Sequence, residues 1–334
     1  MEFEFGYPFT GKRLQAVKEF LQKNHLNYDC GITFTVNLVL EDAIIATGSL
    51  EGSVLKCIAV SSAYQGQDLT AKLVTELTKE AFRLGREHLF LFTKPVNGPY
   101  FSPLGFYELA RTPDILLMEN VRGGIDRFVS SLECPCVCGV IGAAVVHCNP
   151  FTNGHRYLLE TAAKQCRLLH VFVLSHHGGP FSPEDRIALV QAGTQDIPNL
   201  VVHPTSEYLI SPVTFPDYFL QDDQDPRQIH CRLDLELFVR YFAPALHITR
   251  RFVGTEPFSP VTAQYNQAMQ AFLPQHGIEV VEIPRLCQTG IPISASAVRR
   301  LWREGALQAL RPLVPATTYA YLCSHSPSQQ KGEP

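Results

Sequence analysis

Short apolar runs and one helical period organise the first 120 residues of the chain. Residues 69–84 carry apolar side chains at helical spacing, and Gly85 ends that pattern. Runs of apolar residues around this helix predict strands at 33–40, 43–47, 55–60 and 88–92. Strands interleaved with a helix predict a mixed α/β domain in this part of the chain.

The pattern changes character between residues 121 and 138. Gly123 and Gly124 are followed by a polar stretch and by the run ECPCVC, which interrupt any apolar period. Composition shifts of this kind are typical of domain boundaries. The sequence therefore predicts a first domain at 1–125, a linker at 126–138, a second domain at 139–325 and a disordered tail at 326–334.

In the second half of the chain, predicted strands and helices alternate regularly. A wholly apolar strand at 137–146 is typical of the centre of a parallel sheet, and a polar turn at 147–154 follows it. Such alternation predicts an α/β domain built on a parallel sheet. Its further strands are predicted at 168–174, 200–203, 247–253 and 279–283, and its helices at 155–166, 184–193, 234–243 and 296–304.

Composition narrows the class of protein without indicating a function. Of the 334 residues, 46% are hydrophobic and 18% are charged, which is typical of a folded globular protein. The net charge of −4, with no concentrated basic block, argues against nucleic-acid binding. The apolar stretch at 136–146 is far shorter than the roughly 20 residues that span a bilayer, so no membrane contact is expected. Because no export signal follows the acidic start MEFEF, we expect a cytoplasmic protein whose ten cysteines are reduced.

The first candidate site is the segment VVHCNPFTNGH at 145–155. A buried strand leads into a tight turn, and a helix is predicted to start at the end of that turn. Helix N-termini attract phosphate because their unpaired N–H groups carry partial positive charge. Thr152 and His155 would lie on the same side of the turn, and Gly154 leaves space for a ligand to approach the backbone. The alternative is a solvated loop with a structural histidine.

The second candidate site is the segment ISASAVR at 293–299, directly before an apolar helix. The hydroxyl groups of Ser294 and Ser296 could cap this helix or bind phosphate oxygens. Arg299 could place a fixed positive charge on a polyphosphate. The alternative is ordinary capping by Ser294 beside an exposed arginine.

Together these segments resemble the two signatures of the nucleotidyltransferase superfamily, T/H-x-G-H and I-S-x-S-x-[VL]-[RK]. The resemblance implies a doubly wound, Rossmann-like parallel sheet and a site where ATP brings Mg²⁺ with its phosphates. His155, as an imidazolium or as a neutral N–H donor, would stabilise charge at the α-phosphate. The resemblance implies no metal site formed by side chains of the protein. Its implied catalytic residues are His155, Thr152 and Arg299, and its ATP-binding residues are Asn149, Pro150, Phe151, Gly154, Ser294, Ser296 and Glu256.

Longer stretches, among them CNPFTNGHRYLLETAA, TEPFSPVTAQYN and LVPATTYAYL, resemble the citrate lyase ligase family. This resemblance implies that ATP and acetate form acetyl-AMP and pyrophosphate. The acetyl group would then pass to the prosthetic-group thiol on the acyl carrier subunit of citrate lyase. The alternative is an adenylyltransferase that acts on a phosphate-ester coenzyme precursor, since the two phosphate signatures occur across the superfamily. A regulatory protein with an inactive site is a third reading, and the intact signatures argue against it.

For several polar residues the sequence allows either a role in the site or a role in packing. Glu256 could lie beside the nucleotide or could cap a turn, and Arg186 could contact phosphate or form a surface ion pair. Residues that select the acid are sought in EYLISPVTFPDYF, where the candidates are Tyr208, Ser211, Thr214 and Tyr218.

The first domain contains AVSSAYQGQDLTA and NGPYFSPLGFYEL, which resemble the acyl-CoA-dependent N-acetyltransferase (GNAT) fold. In that fold a Q/R-x-x-G-x-G/A cradle holds the CoA pyrophosphate. Here the pattern starts at Gln65, but Asp68 and Thr70 stand where small residues belong. A carboxylate repels pyrophosphate, and side chains prevent its close approach. We therefore expect a domain that docks the carrier subunit or its CoA-like arm.

Overall fold

In this computed structural model, the described residues are 1–29, 31–175, 179–209, 218, 225–256, 259–288 and 290–325. The chain divides into two compact units. The first comprises Met1–Arg127 together with the described residues Tyr218 and 225–236, and the second comprises the described residues of 128–209 and 237–325. The predicted domain boundaries at 125 and 139 remain predictions, and the predicted tail at 326–334 lies outside the described residues.

The first unit is built on a seven-stranded sheet in the order β1-β2-β3-β4-β5-β7-β6. All pairs of neighbouring strands are antiparallel except β4 and β5, which pair in parallel. The strands are Glu2–Gly6 (β1), Phe34–Leu40 (β2), Ala43–Glu51 (β3), Val54–Val60 (β4), Phe90–Thr93 (β5), Tyr107–Arg111 (β6) and Leu116–Glu119 (β7). The helices are Gly11–Lys23 (α1), Leu69–Arg83 (α2) and Gly98–Phe101 (α3), and Gly124–Ser131 (α4) begins in this unit and ends in the second.

Helix α2 covers one face of this sheet through the apolar stripe seen in the sequence. Leu69, Leu73, Leu77 and Ala81 are at most 2% exposed and belong to one core cluster with strand residues such as Val36. Their spacing of four residues keeps them on one side of the helix. Each fully buried leucine contributes about 1.5–3 kcal/mol relative to an exposed one. The helix and the four strands predicted for this region are present.

The second unit is a doubly wound parallel sheet, as predicted, in the order β10-β9-β8-β11-β12. Its strands are Ile141–Val146 (β8), Leu168–Val173 (β9), Leu200–Pro204 (β10), Arg250–Gly254 (β11) and Glu279–Ile283 (β12). Its helices include Asn153–Ala163 (α5) and Pro183–Gly193 (α6). Helix Pro226–Leu237 (α7) belongs to the first unit except for its last residue. The second unit then continues with the π-helical turn Phe238–Phe242, Ala243–Ala245 (α8), Pro260–Phe272 (α9), Ala295–Arg303 (α10), Leu307–Leu310 (α11) and Ala316–Ser324 (α12). A two-stranded ribbon of Cys287–Gln288 (β13) and Ile291–Pro292 (β14) precedes α10.

The central strand begins later than its apolar pattern predicts. Residues 137–140 are not part of β8, which starts at Ile141. Gly139 adopts φ +124°, a conformation outside the extended region of L-residues, so the chain turns just before the strand. The predicted start at 137 is therefore wrong by four residues.

Two apolar clusters hold the second unit together. One lies between the sheet and helices α5 and α6, and it includes the fully buried Phe151. The other surrounds Trp302 of α10, whose indole N–H donates to the Leu322 carbonyl at 3.0 Å. This second cluster ties α10 to α12 and so fixes the direction from which α10 begins. Among the described residues, no helix is both long and apolar enough to span a bilayer.

Candidate functional site

The candidate site lies at the edge of the sheet formed by the carboxyl ends of the central strands. The chain leaves β8 toward β9 and β10 on one side, while β11 and β12 lie on the other side. In doubly wound sheets, ligands bind in the crevice at such a switch point. The segments that follow β8, β11 and β12 carry the residues that form this crevice, which are His147–His155, Thr255, Glu256 and Arg285.

The turn after β8 is closed by a reciprocal cap at the start of α5. Thr152 is the N-cap residue, and its Oγ1 accepts the His155 N–H at 3.3 Å. The Thr152 N–H in turn donates to His155 Nδ1 at 3.1 Å. Such a capping arrangement satisfies two helix-end donors at once. His155 thus has a structural role, as the alternative reading of the sequence proposed, in addition to any role in binding.

This cap also decides which nitrogen of His155 carries the proton. A backbone N–H can only donate, so Nδ1 is an acceptor and the neutral ring is protonated at Nε2. Burial, together with the neighbouring charges of Arg285 and His147, lowers the pKa of His155 to about 4. Of the two forms considered from sequence, the structure therefore favours the neutral N–H donor.

A ring titration by NMR should show this directly. We expect His155 to stay in the Nε2-protonated neutral form as the pH falls from about 8 to about 5, and to gain its second proton only near pH 4. The sign follows because its pKa in the folded protein lies below the ordinary value of 6.5. A His155 titration centred near pH 6.5 would contradict this assignment.

Arg299 joins the second segment to the first. Its Nη1 donates to the Asn149 carbonyl oxygen of the turn after β8, and its Nη2 donates to Ser296 Oγ at 3.0 Å. Burial and the charge of Arg303 lower the pKa of Arg299. The two candidate segments therefore meet at one place in this unit, 150 positions apart in sequence.

Ser294 caps helix α10, as the alternative reading proposed. Its Oγ accepts the Ala297 N–H at 3.2 Å, so the hydroxyl satisfies a helix-end donor. Ser296, two residues further on, is exposed and contacts Arg299. The N-termini of α5 and α10 thus both lie at the junction that Arg299 bridges.

Gly154 lets these two helix starts approach closely. A Cβ atom at this position would lie 3.1 Å from the Ile293 carbonyl oxygen. The neighbouring Asn153 N–H donates to the Leu313 carbonyl at 2.8 Å, which holds the start of α5 to the segment between α11 and α12. The glycine predicted to admit a ligand therefore admits the second segment itself.

The remaining predicted residues of the turn are buried. Asn149 and Pro150 lie in buried positions, and Phe151 is 0% exposed. The Phe151 ring fills the space above Gly193, where a Cβ would lie 2.5 Å from the ring, and it stacks on His155 with centroids 6.1 Å apart. The Phe151 side chain thus packs beneath the turn as part of the core and offers no surface to a ligand.

Glu256 and Arg285 form an ion pair beside the same turn. One Glu256 oxygen accepts from Arg285 Nη2, and the other accepts the Ser259 N–H at 3.1 Å. Of the two readings of Glu256 from sequence, the turn-capping role is therefore present. Arg285 was missed because it belongs to neither segment, although its position two residues beyond a predicted strand end at 283 was a usable signal.

Three other polar residues considered from sequence are buried. Arg186 is 0% exposed, and its guanidinium donates to the Ser182 carbonyl at 3.3 Å, so it does not lie at the surface as the ion-pair alternative supposed. Tyr208 packs its ring on Phe128 with centroids 5.3 Å apart. Tyr218 donates its hydroxyl proton to the Phe92 carbonyl at 3.2 Å within the first unit. Ser211 and Thr214 lie outside the described residues.

The fold and the site together define a nucleotidyltransferase-type α/β protein: a doubly wound sheet with two helix N-termini and an arginine at its switch point. Residues 141–322 match the family described as citrate lyase ligase C-terminal domain. The chain is 42% identical over 325 residues to a [citrate [pro-3S]-lyase] ligase of Klebsiella pneumoniae, covering 96% of this chain and 95% of that protein. It is 42% identical over 318 residues to the Escherichia coli K12 ligase, covering 93% and 90%. This chain belongs to the citrate lyase ligase family, which confirms the resemblance seen in its sequence.

A solved structure is similar to part of this chain. An acyl-CoA N-acyltransferase from Pseudomonas aeruginosa is similar with 18% identity and a TM-score of 0.32. The match covers 36% of this chain and 99% of that protein.

Proposed function

We propose that this protein is an ATP-dependent ligase that activates acetate as acetyl-AMP and acetylates the thiol of the prosthetic group on the acyl carrier subunit of citrate lyase. The observation that carries the proposal is the junction at Arg299, where two helix N-termini meet beside a neutral His155 in a chain of this family. That arrangement suits a bound polyphosphate.

The first step is nucleotidyl transfer to the acid. A carboxylate oxygen of acetate attacks the α-phosphorus of ATP, the bond from this phosphorus to its bridging oxygen breaks, and pyrophosphate leaves with the electron pair. No covalent bond to the enzyme is required, so the chain contributes position and charge. His155 Nε2–H donates to an α-phosphate oxygen, while Arg299 and the start of α10 hold the β and γ phosphates.

The second step is acyl transfer to sulfur. A carboxylate is a poor acyl donor, whereas its mixed anhydride with AMP is a good one. The carrier thiol gives its proton to water, the thiolate sulfur attacks the acetyl carbonyl carbon, and the bond from that carbon to the AMP oxygen breaks, so that AMP leaves with the electron pair. The products are the acetyl thioester and AMP.

Mg²⁺ enters this scheme as part of the nucleotide substrate. Among the described residues no three histidine, cysteine or acidic side chains lie close enough together to hold a metal ion. Mg²⁺ commonly keeps several waters and binds through substrate phosphates, so it needs few protein ligands. The residues present therefore suit Mg²⁺ delivered with ATP.

The first unit is proposed to dock the carrier subunit or its CoA-like arm. Asp68 is the N-cap residue of α2, with a left-handed backbone at φ 55°. A carboxylate at this helix start disfavours a bound pyrophosphate. This supports a docking role over acetyl transfer from acetyl-CoA.

Exchange of labelled pyrophosphate into ATP tests the first step. With the full-length protein and a panel of short acids, we expect exchange that depends on acetate. Mass spectrometry of purified carrier subunit should then show acetylation that requires ATP, acetate and this protein. Exchange that depends on a phosphorylated cosubstrate instead would contradict the ligase and favour a coenzyme adenylyltransferase.

A further inference from the structure

The proposed first step brings two anions together, so the acid needs a cation of its own. Like charges in contact repel unless a neighbouring positive charge offsets them. His155 cannot supply this charge, because it is neutral at pH 7. Arg299 directs its guanidinium to the Asn149 carbonyl and to Ser296, at the end assigned to the β and γ phosphates. A guanidinium beside His155 would supply this charge, and Arg285 is close enough for its charge to lower the pKa of His155.

Arg285 stands at that position and is held rigidly. It follows β12 at the carboxyl edge of the sheet. Its backbone N–H donates to Thr255 Oγ1 at 3.1 Å, and its Nε donates to the Thr255 carbonyl at 2.7 Å. Its Nη2 donates to Glu256, whose side chain is only 6% exposed. The segment after β11 therefore fixes both the backbone and the side chain of Arg285.

The pattern of these bonds leaves one edge of the guanidinium available. Thr255 and Glu256 take the edge formed by Nε and Nη2. The Arg285 side chain is 29% exposed, and Nη1 has no hydrogen bond to a described residue. The opposite edge, formed by Nη1 and the second proton of Nη2, has the geometry that matches the two oxygens of a carboxylate.

We propose that Arg285 binds the carboxylate of the acid substrate through its open guanidinium edge, with Glu256 and Thr255 as positioning residues. The inference rests on the proposed function and names the residue that recognises its acid. A short monocarboxylate such as acetate has no other polar group, so its recognition depends on this contact. The pair with Glu256 keeps the guanidinium aimed along the crevice when no acid is bound.

Acetate-dependent pyrophosphate exchange by the full-length protein tests this assignment. We expect Arg285→Gln to raise the KM for acetate about 10- to 100-fold, since a charge-assisted pair is lost, and to leave the KM for ATP within about twofold. Arg285→Lys keeps the charge but loses the planar fork, so we expect an intermediate KM for acetate.

Arg250→Gln is the matched control. Arg250 also pairs with a glutamate between β11 and β12, through an Nε to Glu279 contact of 2.7 Å, but at the amino end of the strands. Its loss should leave both KM values within about twofold of wild type, because surface pairs contribute little.

The outcomes separate the inference from the proposed function. Wild-type protein without acetate-dependent exchange refutes the proposed function itself. Active wild type with an unchanged acetate KM in Arg285→Gln, or with the ATP KM raised as much as the acetate KM, overturns the role of Arg285. If circular dichroism shows that Arg285→Gln does not fold, the KM values of Arg285→Lys for acetate and for ATP decide the role of Arg285.

Discussion

Replacing His155 by alanine is expected to lower the kcat of acetate-dependent pyrophosphate exchange about 10²- to 10³-fold. Its Nδ1 is occupied by the Thr152 N–H, so Nε2–H is the donor that remains for the α-phosphate. Loss of one such preorganised donor removes stabilisation of charge in the transition state. Steady-state exchange kinetics at saturating ATP and acetate measure the effect.

The same substitution removes half of the helix cap, so stability has to be measured alongside activity. Loss of a cap costs about 1 kcal/mol, which leaves a folded protein. His276→Ala is the control, because this histidine is exposed and contacts the Phe272 carbonyl of its own helix turn. A His155→Ala protein that is folded and as active as wild type would remove this residue from the mechanism.

Arg299→Ala is expected to lower kcat/KM for ATP by about 10²-fold. The side chain bridges the Asn149 carbonyl and Ser296, so its loss removes a positive charge and also unties the two phosphate-binding segments. The effect should appear in the KM for ATP as well as in kcat, because binding and positioning are both weakened.

The neighbouring Arg300 provides the control within the same helix. It is exposed and faces Glu304 at 3.9 Å, one turn further on. Arg300→Ala should therefore stay within about twofold of wild type, because an exposed ion pair of this kind contributes little. Equal losses in the two variants would show that α10 acts through general charge and not through the junction at Arg299.

Elements with a clear apolar period were predictable from sequence. Helix α2 and strand β9 were predicted within about two residues, because burial of one face or of both faces leaves a readable pattern. Strand β1 and helix α9 were not predicted. Strand β1 alternates glutamate with phenylalanine at a sheet edge, where Phe3 and Phe5 remain 40% and 45% exposed, so its pattern does not report burial.

One long-range assignment had no signal in the sequence. Tyr218 belongs to the first unit, where its carbonyl accepts the Asn27 N–H at 2.7 Å. Apolar periodicity reports only on neighbours within an element, so it cannot tell which unit a distant tyrosine joins.

The sequence by itself determined which side chains lie together within a single turn of helix. The spacing of Thr152 and His155 places a hydroxyl and an imidazole at one helix start, since both partners of the cap are three positions apart. Arg299 was expected near that turn from the resemblance, but only the tertiary structure shows which atoms it contacts and brings Arg285 close to the same histidine. Arg299 reaches Asn149 across 150 positions, and Arg285 reaches Glu256 across 29. The low pKa of His155 depends on burial and on charges brought near by folding, which no local pattern encodes.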